Sequence, residues 1–232
     1  MEAKSEVSIS EYLDKKYKKR TNYRFVILAL ITIILTISTA DRATLSVAGV
    51  TMADDLGFSK LDMGYLFASF SWAYVCLQIP CGWLGDKYGS KVTIFIGLTV
   101  WSIVTIFMGM IHHFTFAFLL MLALRFLLGV FEAPVGPACG KVLASWFPSC
   151  ERGVAGAIYN SAQYFSLVLF TPLMGWLTHE FSWHFVYIVM GLIGIIVAIL
   201  WAKLFYVPKK HPHVRLYRRR WRASGYGYPL GR

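Results

Sequence analysis

Long apolar runs alternate with short polar breaks along most of this chain. Six runs stand out, over residues 25–50, 63–84, 92–111, 114–142, 153–178 and 183–207. Each supplies the ~20 residues that a helix needs to cross a ~30 Å hydrocarbon layer. None alternates with a period of two, which argues against barrel strands. The pattern predicts an all-α membrane protein with a bundle of six transmembrane helices over 23–207. A polar segment, 1–22, precedes the bundle, and a basic stretch without apolar periodicity, 208–232, follows it. The first run is too long for a signal-peptide core and lacks a small-residue cleavage site, so it reads as a span.

Charge placement orients the bundle. Lys15, Lys16, Lys18, Lys19, Arg20 and Arg24 precede the first run, Lys87 and Lys91 follow the second, and Lys141 and Arg152 follow the fourth. Lys203, Lys209 and Lys210 lie at and beyond the end of the sixth. The opposite connections hold only Lys60 among basic residues, with Asp54, Asp55, Asp62 and Glu180. The positive-inside rule therefore predicts that both termini lie in the cytoplasm, the parity that six spans require. Composition agrees: of 232 residues 57% are hydrophobic and 15% charged, against roughly 25% charged in soluble domains. The net charge of +11 follows from this bias and the basic tail, and calls for no nucleic acid.

Cys76, Cys81, Cys139 and Cys150 lack metal-ligand spacing and read as small packing residues. His112, His113, His179 and His184 fall in outer loops or at helix ends, again without metal logic. No nucleotide-binding glycine loop is present, so no cofactor or metal is expected. Gly64 with Ser69, Gly129 with Ala133, and Gly153 with Ala157 are small residues suited to close helix approach in lipid.

Against this background four charges are out of place. Asp41 and Arg42 sit side by side in the first run, and Arg125 and Glu132 lie in the fourth. An ionised group at bilayer depth costs at least ~2.5–3.5 kcal/mol on insertion scales, so these residues are functional candidates. Arg42 offers a planar fork for a carboxylate, while Asp41 points about 100° away round the helix. Arg125 and Glu132 are seven residues apart, on nearly one face but ~10 Å apart along the axis. Each must therefore look to another helix; for Arg125, locking helices together is the structural alternative. Tyr74, Gln78, Asn160 and Gln163 are polar groups at mid-span. Trp72, Trp101 and Phe126 read as lipid-facing or packing residues.

The cytoplasmic turn after the second run reads GWLGDKYGSKV over 82–92, with Gly82, Asp86, Lys87, Gly89 and Lys91 in fixed spacing. Its glycines suit a tight turn and close helix approach. The sequence resembles the G-x-L-[AG]-D-[RK]-x-G-[RK]-[RK] signature of the major facilitator superfamily, departing only at Ser90. LRFLLGVFEAP over 124–134 resembles that superfamily's R-x-x-x-G-x-x-E-A signature. ADRATLSVA over 40–48, SWAYV over 71–75, QIP over 78–80, WFP over 146–148, ERG over 151–153 and NSAQYF over 160–165 narrow the resemblance to the anion:cation symporter branch and its bacterial glucarate, galactarate and galactonate transporters. The similarity covers about residues 20–214. Thr39 stands where those carriers usually have Tyr, which puts substrate preference in doubt.

The resemblance implies a multi-pass inner (plasma) membrane transporter, not an enzyme, that takes a sugar acid inward with protons. Arg42 would bind the substrate carboxylate, and Tyr74 and Gln163, which match polar positions of the family, would read its hydroxyls; interhelical hydrogen bonding is the alternative for both. Asp41 and Glu132 would carry protons, with Arg125 between them as a counter-ion for either acid. The implied partners are a small anionic substrate, protons, the lipid bilayer and a second six-helix half. Superfamily members have two such halves with substrate between them, and this chain reads as the N-terminal one. Its tail starts as the family's central loop does and then turns basic and unrelated, which predicts a truncated or frame-shifted reading frame. A rival class is a non-transporting membrane protein whose basic tail binds acidic lipid or another partner.

Overall fold

The computed structural model describes residues 23–111, 116–147 and 149–205. The expectations for 1–22, for the tail 208–232, and for His112 and His113 lie outside these residues. Among the described residues there are seven helices: α1 Tyr23–Leu56, α2 Lys60–Tyr88, α3 Ser90–Gly109, α4 Ala117–Glu132, α5 Val135–Trp146, α6 Ser149–Glu180 and α7 Trp183–Leu204. Four segments are long and apolar enough to cross a membrane: α1, α3, the α4–α5 stretch Ala117–Trp146, and α7. Polar and small residues dilute α2 and α6, and each contains a proline, Pro80 and Pro172 respectively.

The fourth apolar run differs from a single rod. Its helix is interrupted at Ala133 and Pro134, both of which keep right-handed helical backbone angles. Pro134 and Pro137 have no N–H to donate, so the ladder loses bonds just here and α5 begins at Val135. Glu132 is the last residue before the break, and Ala133 still donates its N–H to the Gly129 carbonyl at 3.1 Å.

Packing is pairwise. α3 lies mainly against α7, α1 against α6, and α2 against α4, with α3 also touching α4. The buried apolar residues form two clusters stacked along α1. One gathers Ile27 to Ala40 of α1 with Ile94, Leu98 and Trp101 of α3 and Trp201 of α7. The other gathers Leu45, Ala48 and Met52 with Met108, Met121, Leu128 and Tyr187. Asp41 falls on α1 between the two clusters.

Lipid gives helices little hydrophobic reason to associate, so contact depends on fit. A Cβ on Gly129 of α4 would lie 2.6 Å from the Phe70 carbonyl and 2.9 Å from the Ala73 Cβ of α2. Gly64 and Gly153, which shared that reading in the sequence, face open space. The tightest α3–α7 approach instead uses Gly194, whose missing Cβ would sit 2.2 Å from the Ser102 hydroxyl.

The ends of the helices are tied by polar contacts. Arg24 pairs with Glu151 between the starts of α1 and α6, and Arg152 donates to the Ala144 and Phe147 carbonyls at the end of α5. Trp183 donates to Asp55 at 3.0 Å across the opposite end. At the start of α2, Ser59 and Asp62 form a reciprocal capping box. The Ser59 hydroxyl and backbone N–H both donate to the Asp62 carboxylate, at 2.7 and 2.9 Å, and hold it below the usual carboxylate range.

Two outcomes follow. Gly129→Ala should cost about 1–3 kcal/mol through overpacking against α2 and lower the unfolding temperature in detergent, whereas Gly153→Ala should leave it unchanged. The Asp62 cap is fully present above the unfolded-state value of about 3.9 and is lost as pH falls through the depressed folded value. Amide exchange over residues 60–63 should therefore accelerate on acidification below the ordinary Asp range, and Asp62→Asn should reduce that dependence.

Candidate functional site

The structure collects the four out-of-place charges around one level of the bundle. Asp41, Arg125 and Glu132 are 3%, 2% and 1% exposed. Arg42, one residue on from Asp41, turns to the neighbouring face, where its side chain remains 37% open. The 100° helical step between adjacent residues thus sends one member of the pair into the core and the other into a cavity.

Arg42 crosses from α1 to α4. Its Nε donates to Oε1 of Glu132 at 2.7 Å. Ser38, one turn earlier on α1, donates to the same Glu132 oxygen. The guanidinium lies over the Tyr74 ring of α2, 4.4 Å from its centroid, and Tyr74 stacks on Phe70. Oε2 of Glu132 is buried and has no hydrogen-bond partner. A buried carboxylate oxygen left without a donor is costly, and a water at Oε2 would relieve that cost.

Asp41 and Arg125 occupy the drier side. Thr105 of α3 has its hydroxyl 3.2 Å from Oδ2 of Asp41. Arg125 donates from Nη2 to the Tyr187 hydroxyl of α7 at 3.1 Å, while its Nε is unsatisfied. The ~10 Å axial separation of Arg125 and Glu132 along α4 is reflected in these partners: each charge bonds to a different helix. The expected relay from Asp41 through Arg125 to Glu132 is not a chain of hydrogen bonds, which run instead to Thr105, Tyr187 and Arg42.

A cavity of about 30 Å³ opens beside Arg42, lined by Ser38, Tyr74, Glu132, Cys139 and Tyr159 among others. That is room for about two waters and far less than a six-carbon acid. Thr39, on the same helix, turns its hydroxyl back to the Leu35 carbonyl at 2.9 Å. Gln163 lies on α6 and is exposed, as are Gln78 and Asn160; the structure does not bring Gln163 to the cavity wall.

The segment 82–92 is less of a turn than its glycines suggest. α2 continues to Tyr88, so Gly82, Gly85 and Lys87 are helical, and only Gly89 takes a positive φ, 84°. Gly82 needs no close approach, since a Cβ there meets nothing. Its carbonyl instead accepts from Lys141 of α5 at 2.8 Å. Lys87 and Lys91 lie at the two helix ends flanking Gly89. The Asp86 side chain is outside the described residues.

Sequence reasoning had no grip on Ser38, Thr105, Tyr159 and Tyr187. Ser38 carried the one usable signal, its spacing of four from Arg42, which puts both on one face. Tyr187 is a single phenol in an apolar run.

Long apolar helices packed around buried charge and a small polar cavity define a multi-pass membrane protein. The chain belongs to the Major Facilitator Superfamily, whose family profile matches residues 30–224. It is accordingly a multi-pass inner-membrane protein and not an enzyme. It is 51% identical over 198 residues to the protein named Probable galactarate/D-glucarate transporter in Bacillus subtilis (strain 168), covering 84% of this chain and 44% of that one. It is 47% identical over 208 residues to a protein of the same description in Escherichia coli (strain K12), covering 89% and 47%. It is 40% identical over 186 residues to the D-galactonate transporter of Escherichia coli O6:H1, covering 80% and 42%. The chain thus spans about half the length of the curated relatives it matches. In fold it is similar to a bacterial homologue of the human lysosomal transporter Spinster, crystallised inward-facing and unoccupied, with a TM-score of 0.71 and 22% identity over 80% of this chain and 44% of that one.

The Arg42–Glu132 bond predicts a coupling that can be measured. Arg42→Ala strands the buried Glu132 charge and should destabilise the chain by about 1–3 kcal/mol, below the cost of breaking a fully buried pair because Arg42 is partly open. Adding Glu132→Gln should recover part of that loss, read as a non-zero interaction term in a double-mutant cycle of detergent unfolding.

Proposed function

We propose that this chain is the N-terminal six-span half of a proton-coupled importer of sugar acids of the glucarate, galactarate or galactonate type, with both termini cytoplasmic and residues 23–207 as its membrane bundle. The observation that carries the reading is the bond between Arg42 and Glu132 at the edge of the cavity. Arg42 is suited to bind a substrate carboxylate, but Glu132 already occupies it. A proton on Glu132 weakens that bond and frees the guanidinium, and the partnerless Oε2 is where such a proton fits. Substrate anion and proton therefore favour each other's binding, which is the thermodynamic content of symport.

The remaining roles follow from position. Tyr74 holds the Arg42 guanidinium over its ring and turns a phenol toward the cavity, where a sugar hydroxyl can meet it. Asp41 is the second proton carrier, with Arg125 nearby as its counter-ion. Gln163 faces away from α1 toward open space, where the second half of the substrate cage would complete the contact. The segment around Gly82, Asp86, Lys87, Gly89 and Lys91 forms the cytoplasmic gate. Names of the relatives support the substrate class. Apolar exposed positions on α2 and α6, Ile79 and Val168 among them, support a second six-helix half packed there during alternating access.

Uptake of labelled glucarate into vesicles carrying an inward proton gradient tests this. The chain co-expressed with the C-terminal half of the Bacillus subtilis relative should concentrate glucarate, and collapsing the gradient should abolish accumulation. Arg42→Lys should reduce uptake by tenfold or more through loss of the bidentate fork, and Glu132→Gln should leave only downhill exchange. Accumulation that persists in the Glu132→Gln, Asp41→Asn double variant would sink the proposal.

A further inference from the structure

The Thr105 hydroxyl sits between two oxygens. Its Oγ1 is 3.2 Å from Oδ2 of Asp41 and 3.1 Å from the Trp101 carbonyl one turn earlier on α3. A hydroxyl has one proton to give and can accept as well. The Trp101 carbonyl can only accept. If Asp41 is ionised, both neighbours are acceptors and Thr105 can satisfy one of them. If Asp41 carries a proton on Oδ2, a continuous chain forms: Asp41 donates to Thr105, and Thr105 donates to Trp101. Both side chains are buried, Thr105 completely, so no bulk water competes for these bonds.

We propose that Thr105 is a positioning residue for the transported proton: it accepts from protonated Asp41 and, when that proton leaves to water, turns its own O–H onto the carboxylate. The inference rests on the reading of Asp41 as a proton carrier. α3 is a fixed mount for such a swivel. It is pressed onto α7 where Gly191 and Gly194 meet Ser102 and Ile106 with no room for a Cβ, so Thr105 stays in reach of Asp41 in both states. The hydroxyl turns, and the helix does not.

The surroundings of Asp41 complete the arrangement. Arg125 and Glu132 of α4 and Arg42 of its own helix act on it electrostatically. Tyr187 of α7 does so while bonded to Arg125. From α6 the contact next to Asp41 is Met174 on Thr44, which does not titrate. Among the described residues Thr105 is the hydrogen-bond partner of the Asp41 carboxyl, and the Arg125 guanidinium balances the charge when the proton is gone.

Infrared difference spectra of the purified full chain in lipid, recorded between acid and neutral pH, test the swivel without substrate or a second half. The carboxyl C=O band of Asp41 is assigned by its loss in Asp41→Asn. Thr105→Val, of equal shape but without the hydroxyl, should displace that band, and Thr105→Ser should return it. Thr105→Ala provides the same comparison should the valine variant fail to fold. A band unmoved in Thr105→Val or Thr105→Ala overturns the proposal, as does a spectrum from which Asp41→Asn removes nothing. A chain that shows the shift but takes up no glucarate even when co-expressed with the C-terminal half of the Bacillus subtilis relative would count against the transport reading and leave the role of Thr105 standing; normal uptake by that pair with an unmoved band would do the reverse.

Discussion

A guanidinium on α1 reaching a carboxylate on α4 is the contact around which the bundle is arranged. Arg42 and Glu132 lie on helices whose own apolar packing is with other partners, α1 with α6 and α4 with α2 and α3. Their bond joins two sub-assemblies that otherwise meet through side chains of the two stacked clusters. In lipid such a bond has few competitors, and the cost of leaving either member alone is high. Ser38 reinforces it from the same face of α1, and Tyr74 walls it off from the lipid-exposed side of α2. The pair is also asymmetric: the acid is buried and the base is partly open. The arginine is therefore the member open to a new partner.

The interruption after Glu132 serves that geometry. Beyond it, α5 contributes Cys139 and Val142 to the first cluster. Ending the hydrogen-bond ladder at residues 133–134 lets α4 stand close to α2 through Gly129 while α5 closes on α1 and α6. Lys141 of α5 reaches the end of α2, where it donates to the Gly82 carbonyl. A motif that reads as a loop is thus a helix end stitched to its neighbour, with Gly89 as the point where the backbone turns.

Much of this was legible in the residues. Run length and charge bias gave a helical membrane bundle, and four charges in apolar runs marked the site before any contact was known, because lipid penalises charge so heavily that its survival is informative. The helix break was visible as Pro134 and Pro137. What periodicity could not supply was partnership. Arg125 and Glu132 share a face, yet one bonds to α7 and the other to α1, since a helix face wide enough to carry both meets two neighbours. Close packing was equally illegible: Gly129 and Gly153 look alike in sequence, and only the first has a neighbour. Thr105 and Tyr187 gave no signal, because a hydroxyl in an apolar helix is unremarkable until something charged lies opposite.

Charge balance ties the site to its proposed task. Asp41, Arg42, Arg125 and Glu132 sum to zero when all are ionised, so the empty cluster tolerates burial without a counter-ion from outside. An entering carboxylate adds one negative charge to a region of low dielectric, where an uncompensated charge is prohibitively costly. In the proposed cycle, protonating Glu132 would cancel that charge and vacate Arg42 in a single event, and protonating Asp41 would do the same for a second negative group without touching the arginine. Glu132 is doubly hydrogen-bonded on one oxygen and bare on the other. The pairing of Arg42 with Glu132, more than either charge alone, is what makes the proposed coupling of an anion to protons physically coherent.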